Sequence, residues 1–506
     1  APDVAPLQIA LMEDEDGHVA LRRILPYLFW PSDETSREAL SVVAAVIASA
    51  SAEELPEMGE TVRVAWRYAR REPEFVDELS GTHDSAVMAV LSFHPSGYVR
   101  ERVVRQLAKL HDGSEVRYLL LRLNDWVPQV REVARNAVNA RLRGDSVTAF
   151  TRNFALVARI IAAERVDVSG VLDRVARVLG TDAGRAAMRN TIESSTLRTA
   201  RAFARFVIER VPDGLPVIVR AGAESRDLVI RAWVAASAMR AVPHEEALPL
   251  LQRLSADSSP AVRRVSLIAL AEHFSHEAQS HLLRAVLDSS ASIREIARFH
   301  LRGPIDFRAM YLDAMSAATT PRALATAISG LAEVGVGADA EIAVPYLVKR
   351  NATVRRAALK CVMKLSAATF GEQALRMLED PAPRVSAAAR DSLRNAVPMD
   401  HARLDAVIAE SPYKHARINA VHLLTRLGKW QAISSLLQAS MVADDAVASL
   451  ARSYVRVWNR NYNQTQTFPS PREVDRITAA LSNAETVLDA KDLAEIRFAL
   501  KAFVRA

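Results

Sequence analysis

Cysteine is almost absent from this chain. A single thiol, Cys361, in 506 residues cannot close an intramolecular disulfide, so nothing calls for an oxidising compartment. Its place in the apolar run Leu359 to Met363 predicts a packed core thiol. Glycine (17) and proline (22) are too scarce for a collagen-like or disordered chain. Aromatic residues make up only 6%, which argues against strand-rich architectures. Eight of the 65 basic residues are lysine; with alanine abundant, the arginine excess matches the codon usage of a GC-rich, bacterial-type genome better than selection for phosphate binding. A net charge of +6 is small against 59 acidic residues, so the charges are interspersed. No apolar run approaches the ~20 residues needed to span a bilayer; the longest, Ser41 to Ala50, holds mostly small side chains. A cytoplasmic location is the default expectation, and a start at Ala1 is compatible with a removed signal or a preceding domain.

What the chain has is a bias toward helix formers, which predicts an all-α fold. One pattern recurs: an acidic residue, a short turn, then Val or Ile followed by Arg and an apolar helical run. Asp125 to Arg131, Asp257 to Arg263 and Asp288 to Arg294 share it, with the Arg six residues after the Asp in each. The Arg slot returns at Arg100, Arg131, Arg198, Arg231, Arg263, Arg294, Arg355 and Arg417, with Ala325 and Ser386 in degenerate copies. From Arg231 onward the steps are 32, 31, 31, 30, 31 and 31 residues, which chance spacing does not produce. The 67 residues between Arg131 and Arg198 fit two irregular repeats around Phe150 to Ala163.

Each period has room for two helices of about three turns and two tight turns, an αα-hairpin. Its first helix carries an apolar stripe, as in Val99, Val103 and Leu107; its second runs through stretches such as Glu115 to Leu123 and Leu248 to Leu254. Neither helix buries its stripe alone, so hairpins must stack. The Asp can accept backbone N–H bonds at the turn, and Pro128, Pro260 and Pro383 suit a first helical turn. The Arg, one turn into the helix, is placed to reach an Asp of its own or the adjacent hairpin. Asp125, Arg131, Asp257, Arg263, Asp288 and Arg294 are thus expected to form a structural ladder between repeats.

The Asp-x5-Arg spacing, the Pro before Val-Arg and the paired helices resemble HEAT repeats, in particular the short HEAT-like type of phycobilisome lyases, over residues 85–430. That resemblance implies a right-handed α-solenoid. Lys349 in the Asp slot before Arg355, Ser386 after Asp380 and Ala325 depart from the pattern, so those rungs should be missing or compensated. Residues 1–84, which open with the acidic run Glu13 to Asp16, read as an N-terminal cap of degenerate repeats, and 431–506 as a C-terminal cap. Within the latter, Ser470-Pro471-Arg472-Glu473 fits a capping box.

Catalytic patterns are missing: no P-loop, no dinucleotide fingerprint, no His-Glu-x-x-His and no cysteine pair for zinc. The sequence predicts no cofactor, no metal and no enzyme. Alkylpurine DNA glycosylases are built on similar solenoids and use Trp, Asp and Arg. No Trp here is followed four residues later by Asp, since Trp126 precedes Val130 and Trp233 precedes Ser237 at that spacing.

Two features are candidates for partner contact. Arg253, Arg284 and Arg376 fall ten residues before Arg-slot positions, at equivalent points on second helices, where a basic stripe would suit an acidic peptide or a phosphate backbone. Tyr462 and Phe468 fall in a polar segment beside Arg460, while Tyr454 and Trp458, one helical turn apart, belong to the core. The expected function is a non-catalytic scaffold or adaptor holding a protein partner along a helix-lined groove. The alternatives are a nucleic-acid-binding protein, including a repair enzyme of the glycosylase kind, and an accessory module of a larger enzyme.

Overall fold

The computed structural model describes residues 17–30, 32–69, 76, 84–143, 147–163, 167–301, 303–394 and 399–503, and every regular element among them is helical. None of these helices is long and apolar enough to cross a membrane. The chain divides into two units, Ala1–His276 and Glu277–Ala506. The acidic run Glu13 to Asp16 lies outside the described residues.

In the first unit, helices Gly97–Leu107 and Pro128–Arg141 pack side by side, as do Leu197–Arg210, Leu228–Ala241 and Pro260–His273. These are the first helices of successive hairpins. The second helices, among them Val116–Arg122, Leu215–Gly222 and His244–Leu254, form the other layer. Val103, Val138, Phe203, Ile218, Val234 and Leu251 are fully buried between the layers. The long interval after Arg131 holds four short helices, Val147–Arg152, Phe154–Ile161, Ser169–Leu179 and Asp182–Ser194. Its core is the edge-to-face pair Phe154 and Phe203, with ring centroids 4.8 Å apart.

The second unit continues the pattern with first helices Ala291–His300, Pro321–Val334, Ala352–Arg376, Pro383–Leu393, Lys414–Leu424 and Asp445–Asn461. Helix Ala352–Arg376 is itself two helices, because Ser366 leaves helical geometry at φ −151° and ψ 65°. Cys361 is fully buried there, and burial, aided by the charge of Asp339, pushes its thiol up to about 12. Thr320, Asn351, Asp400 and Asp444 each cap the helix that follows with a side-chain oxygen. Ser470 and Glu473 form a reciprocal capping box, Ser470 N–H donating to Glu473 Oε2 at 2.7 Å.

The recurring Arg acts in two directions. Its Nη1 donates to the backbone carbonyl six residues earlier: Arg100 to His94, Arg131 to Asp125, Arg231 to Ser225, Arg263 to Asp257, Arg294 to Asp288 and Arg355 to Lys349, all at 2.7–2.9 Å. At Arg100, Arg231 and Arg355 the Nε and Nη2 reach the turn carboxylate of the next hairpin, whereas those of Arg294 reach Glu333 inside helix Pro321–Val334. Arg100 holds Asp125 at 2.9 Å twice, Arg231 holds Asp257 at 2.7 and 3.0 Å, and Arg355 holds Asp380 at 2.7 Å twice. The same carboxylates accept from the turn backbone, for example from Val127 N–H at 3.0 Å and Ser259 N–H at 2.7 Å. One Asp therefore fixes its own turn and docks the preceding helix. Asp125 shows the division: its carbonyl serves Arg131, while its carboxylate belongs to Arg100.

Arg198 does not take this role. Helix Leu197–Arg210 starts one residue before it, which leaves Arg198 exposed, and Arg201, one turn further on, clasps Asp227. At Ser386 the rung is replaced: Asn419 Nδ2 donates to Ser386 Oγ at 2.8 Å, and His415 Nε2 lies 2.9 Å from the Asp380 carbonyl.

Candidate functional site

The sequence-derived candidates occupy separate places. Arg253, Arg284 and Arg376 are exposed and lie in the last turns of helices His244–Leu254, Ser275–Ala285 and Ala352–Arg376, where the helix dipole favours a cation. Arg253 pairs with Glu224, Arg284 Nη2 sits 3.2 Å from His281 Nδ1, and Arg376 donates to Gln373 at 2.8 Å. Arg253 belongs to the first unit and the other two to the second. Helix Asp445–Asn461 runs further than the polar composition from Asn459 suggests, and Tyr462 stacks on Trp458 at 5.4 Å and 15°. Phe468 is 78% exposed, with one edge toward Phe503.

A different surface stands out once the ladder is traced. Ala325 holds an Arg slot and Lys349 the Asp slot that would answer it, so both halves of one rung are absent. There a cavity of about 600 Å³ opens between helices Pro321–Val334 and Ala352–Arg376. Arg322, Thr326 and Ser329 line one side at helical spacing, and Thr353, Arg356 and Lys360 the other. Ala325 is also in the lining. A methyl group where other repeats carry a guanidinium leaves the interhelical space open.

The electrostatics of this groove are one-sided. Among the described residues its lining contains Arg322, Arg356 and Lys360 and no carboxylate. Arg322 makes one long contact, 3.4 Å, to Ser289 Oγ. Among the described residues Arg356 and Lys360 have no side-chain partner, and both are exposed. The N-cap residues Thr320 and Asn351 lie in the same lining, so the positive ends of two helix dipoles add to the potential there. A sequence signal for this existed: residues 342–371 contain six cations, Lys349, Arg350, Arg355, Arg356, Lys360 and Lys364, and no Asp or Glu. The small overall charge hides it.

Two spaces of the first unit, about 810 and 540 Å³, differ in kind. Their charged groups are mostly spent within the chain. Arg117 donates to the Ala48 and Ala50 carbonyls, Arg141 binds Glu115 and the Ala108 carbonyl, and Glu53 accepts from Thr196 and Thr199. Among the described residues no three His, Cys, Asp or Glu side chains are grouped to hold a metal ion.

No family model matches the chain, and no curated protein matches it. Among solved structures it is similar to importin beta, at 13% identity over 96% of this chain and 79% of that one, with a TM-score of 0.36. It is also similar to the S. pombe condensin Cnd3–Cnd2 subcomplex, at 13% identity, 95% and 79% coverage and a TM-score of 0.32. A third is the Pds5–Scc1 complex, at 13% identity, 90% and 72% coverage and a TM-score of 0.29. Likenesses at this level say nothing of a partner.

Proposed function

We propose that this chain is a non-catalytic scaffold that holds an acidic segment of a protein partner in the groove between helices Pro321–Val334 and Ala352–Arg376. One observation carries the reading: an open cavity whose charged side chains, among the described residues, are three cations, placed where the repeat's own Arg–Asp rung is absent. Carboxylates of the partner would supply the missing negative charge beside the positive ends of two helix dipoles. A protein segment suits the groove better than a nucleic-acid backbone. The position equivalent to Arg356 two repeats earlier is Glu295, and the position equivalent to Lys360 in the following repeat is Asp391; both are exposed. A phosphate-tracking stripe would meet repulsion on either side. Arg253, Arg284, Arg376 and Phe468 are proposed as secondary contacts, and 1–84 and 431–506 as the caps of the array.

The test is fluorescence anisotropy with a labelled ten-residue glutamate peptide and with DNA and RNA oligonucleotides across a salt series. Peptide binding that Arg356→Glu with Lys360→Glu weakens at least tenfold, about 1.4 kcal/mol, is the expected result. Nucleic-acid binding with a steep salt slope, lost in the same variant, would replace this reading with the nucleic-acid one.

A further inference from the structure

A second cavity, of about 410 Å³, lies in the C-terminal part of the second unit. Helices Lys429–Ala439 and Asp445–Asn461 form its walls, with Leu427, Leu436, Tyr454, Val457, Trp458 and Tyr462 supplying an apolar, aromatic lining. The rings are fixed before anything binds. Trp458 is buried and donates Nε1–H to the Lys429 carbonyl at 2.9 Å, and Tyr462 lies nearly parallel upon it. The segment after Tyr462 is strapped down by Lys429 Nζ, which donates to the Tyr462 and Thr465 carbonyls at 2.9 and 3.0 Å, and by Trp430 Nε1, which donates to Thr467 O at 2.9 Å.

Among the described residues, Lys429 is the only charged one in this lining. Two of its three N–H groups go to carbonyls, and no carboxylate pairs with it among the described residues. Its ammonium also sits 4.5 Å from the Trp430 ring centre. Burial pushes its pKa below the usual lysine value. Thr425, Asn461, Gln464, Thr465 and Thr467 complete the lining, and a pre-formed pocket of this size with an apolar wall and a few polar groups is the usual form of a small-ligand site.

We infer that this cavity binds a small amphipathic carboxylate, its apolar body against Leu436, Val457 and the Trp458 and Tyr462 rings and its head on the third N–H of Lys429. A cationic head would meet the Lys429 charge, and an uncharged one would leave it uncompensated. This site is separate from the groove at Ala325, so either reading stands or fails alone.

The experiment is a titration of the full chain with decanoate, decanol and decyltrimethylammonium, followed by tryptophan fluorescence and isothermal calorimetry. Saturable decanoate binding, at least tenfold tighter than decanol and absent for the ammonium compound, is expected. Lys429→Met should remove the preference for decanoate over decanol, Lys429→Arg should keep it, and Val457→Trp should abolish binding of both. Far-ultraviolet circular dichroism identifies any variant that fails to fold, in which case the wild-type head-group comparison decides by itself. Equal affinity for the three probes, or no saturable binding of decanoate, overturns the inference.

Discussion

At the residue scale, the most demanding feature is an ion pair with no access to water. Arg100 and Asp125 both have side chains at 0% exposure, and Arg122, also buried, adds a third contact to the same carboxylate at 3.3 Å. Burial lowers the Arg122 pKa to about 10 despite the Asp125 charge. Removing one partner would strand the other in a low-dielectric site. Asp125→Ala is therefore expected to cost about 3–5 kcal/mol, measured by urea unfolding. Asp257→Ala, at a rung whose side chains are 14% and 10% exposed, should cost less, about 1.5–3 kcal/mol. Equal losses at the two rungs would mean that burial does not set their worth. The sequence makes the Asp and Arg visible as a spaced pair but not the burial, because solvent access at Asp125 depends on what stacks around it.

At the element scale, helices Pro321–Val334 and Ala352–Arg376 pack closely without the rung that ties other neighbours. Their contact rests on apolar residues such as Ile328, Leu331, Val354 and Leu359. Restoring the rung with Ala325→Arg and Lys349→Asp should raise stability modestly, about 0.5–1 kcal/mol for a partly exposed pair, and should close the groove. Acidic-peptide binding is expected to fall at least tenfold in that variant. Tighter binding by Ala325→Arg alone would show that the added charge matters and the cavity does not. The pairing of two departures, Ala325 with Lys349, is legible in the sequence once the Arg is known to reach the next hairpin. Spacing alone left that direction open.

At the scale of the whole molecule, the rungs tie stability to pH. Burial by itself would raise the carboxyls of Asp227, Asp257 and Asp444, but it is outweighed by Arg201 at Asp227, by Arg231 at Asp257, and at Asp444 by the Val447 and Ala446 N–H groups with Lys414 and Arg417. At Asp339 the hydrogen bond from Arg308 leads. All four are held below the usual carboxylate range. A carboxyl whose folded pKa is lowered contributes stability above its unfolded pKa and loses that contribution as pH falls through the folded value. The Tm should be flat through neutral pH and fall below roughly pH 4, as followed by circular dichroism. A Tm unchanged at pH 3 would mean that these rungs add little to stability. Because rungs occur in both units, the loss should not be confined to one of them.

The sequence by itself determined the helical class, the hairpin period and the capping chemistry at Ser470. These are local: apolar spacing, a turn residue and a cap act within one or two hairpins, and a recurring Arg shows its phase directly. Tertiary structure decided which carboxylate each Arg takes, that Arg201 replaces Arg198, and that Tyr462 lies on Trp458. It also turned Ala325, Arg356 and Lys360, dispersed along the chain, into one groove. The reason is physical: charge becomes a site only where stacking brings cations together and leaves their counter-ions out, and composition averages over both.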